Sequence, residues 1–170
     1  MDLSEHRKQQ LLRRTRWLVG LFIAGLVVSG ATAIPLETEL TWLANWLGIE
    51  PDQGAQAQSE MAIWLLRVKT ALREINTSYP FIGYGGDWLA FGHFMIAIAF
   101  VGAWRDPVRN VWLFQFGLIA CALVVPYALT FGAVRGIPLW WRLIDCSFGI
   151  LGAIPLWLCL CYTRELKHDG

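Results

Sequence analysis

Apolar residues in this chain run on, in four stretches, for the length of a bilayer crossing: 17–36, 88–104, 111–131 and 143–162. About 20 apolar residues at roughly 1.5 Å rise each match a hydrocarbon core about 30 Å thick. The pattern predicts an all-α integral membrane protein, an antiparallel four-transmembrane-helix bundle with an extracytoplasmic amphipathic helix.

Between the first and second spans, positions 37–87 carry a different pattern. The first span is expected to stop near Pro35, which cannot continue the hydrogen-bond ladder. Over 36–47, Leu36, Leu40, Leu43 and Leu47 share one helical face. Over 60–75, Met61, Trp64, Leu65, Val68, Leu72 and Ile75 recur at helical spacing, with Arg67, Lys69, Arg73 and Glu74 elsewhere. Pro51 and Gly54 mark 48–59 as a linker. Too short to build a core of its own, this loop is expected to lie on the outer leaflet or to cap the bundle.

Glycine and proline set the expected turns. Gly83, Gly85 and Gly86 make 77–87 a re-entry turn, with Asp87 capping the second span. Asp106 as N-cap and Pro107 in the first helical position start the third span. A further loop, 132–142, holds Gly136 and Pro138.

Charge gives the threading a direction. Nine of the 14 Lys and Arg fall in 1–16, in the 105–110 loop and in 163–170; five fall in the alternate loops. Positive residues collect on the cytoplasmic face, so 1–16 is read as a basic cytoplasmic segment and 163–170 as a cytoplasmic tail. The expected location is a bacterial-type inner (plasma) membrane, with both termini cytoplasmic. Of ten Trp, the nine outside 60–75 fall toward the ends of spans or in the outer loops, as an interfacial aromatic belt requires. Mean hydropathy of +0.46 agrees. One alternative is a cleaved signal peptide, since Ala31-Thr32-Ala33 follows a basic and then an apolar stretch. Gly25, Ser29, Thr32 and Ala33 recur at helical spacing, which favours a retained helix that packs against others.

Ionisable groups within spans are costly and ask for an explanation. His93 lies about 8–9 Å below the outer end of the second span, and Asp145 about 4–5 Å below that of the fourth. Arg135, Arg142 and Asp87 border the same level. Together they form a candidate polar cluster, either pinning the outer loops or lining a cavity for a proton, an anion or a polar headgroup. Asp145 heads a stripe with Gly149 and Gly152, which turns it toward protein.

Other chemistry finds little footing. No C-x-x-C joins Cys121, Cys146, Cys159 and Cys161, and no two of them share the outer face, which argues against disulfide exchange. His6 and His168 lie in the tails, so two-histidine haem ligation would need His93 from two copies. No metal-ligand spacing, nucleophile elbow, phosphate-binding glycine loop or nucleic-acid-binding basic patch is present. The expectation is a non-enzymatic accessory or scaffold subunit, in the lipid bilayer beside a membrane protein partner or a second copy. The alternative is a small transporter, or a redox subunit associated with quinone or haem, that uses His93 and Asp145. The cofactor is left open.

Overall fold

The structure, a computed structural model, describes residues 3–49 and 59–168. The expected linker around Pro51 and Gly54 lies outside them. Among the described residues there are six α-helices and no strand: α1 (Leu3–Ala33), α2 (Leu36–Trp46), α3 (Glu60–Ser78), α4 (Pro80–Arg105), α5 (Val111–Val134) and α6 (Leu139–His168). Four of them, α1, α4, α5 and α6, are long and apolar enough to cross a membrane.

The helices start and stop for local reasons. The basic N-terminal segment continues α1, because Arg, Lys, Gln and Leu are all good helix formers. Ser59 caps α3 by accepting from the Ala62 amide at 3.3 Å. Glycines at φ +65° and +70°, Gly48 and Gly136, end α2 and α5. At each, the next residue's amide reaches back five positions: Ile49 to the Ala44 carbonyl at 2.9 Å, Ile137 to that of Gly132 at 2.8 Å.

Several expected turns are replaced by helix. Positions 80–87 belong to α4, so Gly83, Gly85 and Gly86 make no re-entry turn and Asp87 lies two turns inside the helix rather than capping it. Pro80 explains the early start: its fixed φ suits a first helical position and its missing N–H is not needed there. At the next connection, Asp106 and Pro107 open a turn, not α5. Asp106 Oδ1 accepts from the Arg109 amide at 3.0 Å, and α5 begins after Asn110. The Asn110 side chain donates to the Gly102 carbonyl at 3.1 Å and that of Asp106 at 3.0 Å, closing the turn on the end of α4. The 132–142 loop shrinks to the four residues between α5 and α6.

The chain divides into two compact units, and α1 and α4 contribute to both. One unit contains α1 up to Leu26 and everything from Ile96 onward. Its core draws Val19 from α1, Phe100 and Ala103 from α4, Leu113 and Phe114 from α5, and Leu156 from α6. Phe22 meets Phe100 with ring centroids 4.8 Å apart. Helices α5 and α6 run in opposite directions, since Cys146 Sγ lies 3.9 Å from the Val125 carbonyl while Gly149 faces Cys121 and Leu156 faces Gly117.

The other unit is Val27–Met95. There α2 packs on α3, and Asn76 Nδ2 donates to Glu37 Oε2 at 2.6 Å. The buried face of α2 is shifted from the expected one. In α2 Leu40 and Ala44 are buried, while Leu36, Leu43 and Leu47 are exposed. In α3 the expected face largely holds: Leu65 is buried and Trp64, Val68, Leu72 and Ile75 are half-buried, while Ala62 joins the buried side and Met61 is exposed.

Candidate functional site

The five polar residues singled out in the sequence divide between the two units. Asp87 and His93 belong to Val27–Met95; Arg135, Arg142 and Asp145 belong to the other.

His93 is half-buried on α4, and its Nδ1 donates to the Leu89 carbonyl one turn back at 2.8 Å. The helix therefore meets part of the ring's polarity itself. His93 also stands where α4 lies close against Gly30 of α1: a methyl group on Gly30 would sit 3.0 Å from His93 Cβ and 3.1 Å from the Ala90 carbonyl. Only glycine allows that approach. Asp87 borders a depression of about 440 Å³ that Asn76 and Tyr84 also line. His93 follows Asp87 by six positions, which places them roughly 120° apart around α4, on different faces.

In the other unit, Arg142 folds back onto α5. Its aliphatic stem covers Gly132, and Nη1 donates to the Leu129 carbonyl at 3.1 Å. A cation over the last turns of a helix also meets the negative end of its dipole. Arg142 Nε is buried without a partner. Asp145, one turn along α6, is half-buried. Among the described residues it forms no ion pair; the pair present, Arg7 with Glu165 at 3.2 Å, is exposed and contributes at most about 1 kcal/mol. Arg135 is the exposed C-cap of α5. The stripe below Asp145 packs as its small residues require: a methyl group on Gly149 would sit 2.6 Å from the Cys121 carbonyl oxygen.

Two polar positions escaped notice in the sequence. Thr15 and Thr163 are fully buried. Each hydroxyl donates to a carbonyl four residues back, at 2.9 and 2.8 Å, and Cys159 Sγ lies 3.8 Å from the Thr15 carbonyl. A single threonine on a helix leaves no periodic trace. A third feature is a groove of about 910 Å³ along α1, lined by Gln9, Arg13 and Arg16 and then by Trp17, Gly20 and Ala24. Its trace was present, since these residues recur three or four apart, but the basic ones had been assigned only to threading. Among the described residues, no three His, Cys, Asp or Glu side chains converge as metal ligands would. Comparison with known families, curated proteins and solved structures yields no match.

Proposed function

We propose that this chain is a multi-pass protein of a bacterial-type inner membrane, an antiparallel four-helix bundle with both termini cytoplasmic, serving as a non-enzymatic accessory or scaffold subunit. The observation that carries the membrane assignment is the set of four apolar helices, of 29, 26, 24 and 29 residues. Large apolar side chains cover their outer surfaces, among them Leu21, Trp88, Ile119 and Phe148. In water so much contiguous apolar surface would drive aggregation; against lipid it is the expected exterior. The α2–α3 pair then lies on the extracytoplasmic side.

The scaffold assignment is supported by how the polar side chains in the long helices are used. His93, Thr15, Thr163 and Arg142 each donate to a backbone carbonyl. The first three bonds fall within the residue's own helix, and the Arg142 bond ties α6 to α5, as a structural subunit needs. The partner is another membrane protein or a second copy, held by the apolar exterior.

A periplasmic-activity reporter fused after Lys167 should be inactive, and one inserted at Gln56 active; the reverse would overturn the threading. Mild-detergent purification should recover a membrane protein partner or a homo-oligomer. Recovery of haem, quinone or a transported solute, lost on His93→Ala or Asp145→Asn, would replace the scaffold assignment with a redox or transport role.

A further inference from the structure

The groove along α1 changes chemistry along its length. Gln9, Arg13 and Arg16 line one part, and Trp17, Gly20 and Ala24 line the rest, with Trp104 of α4 beside them. The change falls between Arg16 and Trp17, where the apolar run of the helix begins. From Arg13 to Ala24 the helix rises about 16 Å, close to the thickness of one leaflet's share of the hydrocarbon core. Gly20 and Ala24 keep the apolar part open; the nearest atom to a methyl group on Gly20 would be Trp104 Nε1, at 3.9 Å. Arg16 is held in place by its bond to the Arg105 carbonyl at 3.3 Å, while Arg13 is exposed with no partner among the described residues.

We propose that this groove holds one anionic phospholipid, its phosphate at Arg13 and Arg16 and an acyl chain along Gly20 and Ala24 between the two indoles. The inference rests on the membrane-spanning reading above, which places Trp17 at the cytoplasmic interface. Charge complementarity and the gradient select this occupant together. A soluble anion would answer the arginines and leave the apolar part empty. A zwitterionic lipid would fill the apolar part and bring no net charge to the arginines. Basic grooves beside membrane helices on the cytoplasmic side suit anionic headgroups, and cytoplasmic-leaflet lipids supply them.

Native mass spectrometry of the detergent-purified full chain, mixed with phosphatidylglycerol or phosphatidylcholine, tests the assignment. Phosphatidylglycerol should be retained preferentially, and Arg13→Gln should lower its retention about five-fold, the factor expected for one basic residue at an anionic surface. Gly20→Leu, which keeps both charges and fills the apolar part, should lower it as well, and glycerol phosphate should not compete. Equal retention of the two lipids, retention unchanged in Arg13→Gln, or displacement by glycerol phosphate would overturn the proposal. If Gly20→Leu fails to fold, Arg13→Gln alone decides, because an exposed, unpartnered side chain is dispensable for folding. Release of the chain by alkaline carbonate would defeat the membrane reading itself; a chain that stays in the membrane without preferring phosphatidylglycerol defeats only this inference.

Discussion

Arg142 of α6 lies across Gly132 of α5, so closely that a methyl group on the glycine would sit 2.5 Å from Arg142 Cδ and 2.6 Å from Cγ. The absent side chain at 132 is what lets the guanidinium reach the Leu129 carbonyl. Gly132→Ala should therefore displace the arginine stem and cost about 1–2 kcal/mol. In an Arg142→Ala background that cost should shrink, a coupling of about 1 kcal/mol. Thermal unfolding of the four chains in one detergent measures it, and strict additivity would mean the stem is not held there.

Because the Arg142 guanidinium is directed to α5, Asp145 does not depend on it. Asp145→Asn and Arg142→Gln should have effects on melting that add to within about 0.5 kcal/mol. A larger interaction would reveal an ion pair between them.

Gly149 faces backbone that cannot yield, with the Cys121 carbonyl oxygen 2.6 Å from an added methyl group. Gly149→Ala should destabilise the α5–α6 packing by about 2–3 kcal/mol. Gly25 meets nothing within 4 Å, so Gly25→Ala should be neutral or stabilising by up to about 1 kcal/mol through helix propensity. Equal melting temperatures for the two variants would contradict the close approach.

Asn110 closes the turn after α4 with two donated hydrogen bonds. Asn110→Ala should cost about 1–2 kcal/mol, and Asn110→Asp should not restore it, since a carboxylate offers no donor to those carbonyls. Denaturation of both variants beside the parent decides the matter.

The buried face of α3 can be read by thiol labelling. With a water-soluble maleimide, Leu65→Cys should react slowly, while Met61→Cys and Arg67→Cys react fast relative to the parent chain. Slow reaction at 61 would extend the buried face to every position expected from periodicity.

The sequence by itself determined that this chain is helical and that four of its helices suit a bilayer, because a long apolar run is a property of one segment and needs no neighbour to define it. The presence of helix over 60–75 was legible for the same reason: periodicity is local. Its inner face was largely legible too, with Leu65 buried and Trp64, Val68, Leu72 and Ile75 half-buried; tertiary structure decided the edge of that face. Ala62 lies inside and Met61 outside, a detail that depends on what packs against the helix and that spacing does not carry. Three glycines in 83–86 read as a turn, yet they continue α4; glycine permits a turn without requiring one, and the proline start upstream set the helix. The candidate site was legible as residue types at similar depths and no further. Depth follows from counting residues, but the direction of a side chain depends on what packs against it. The bare Gly132 opposite Arg142 turned that guanidinium to a backbone carbonyl. The six-residue spacing that puts Asp87 and His93 on different faces, by contrast, could be counted in the sequence once both were known to lie in the same helix.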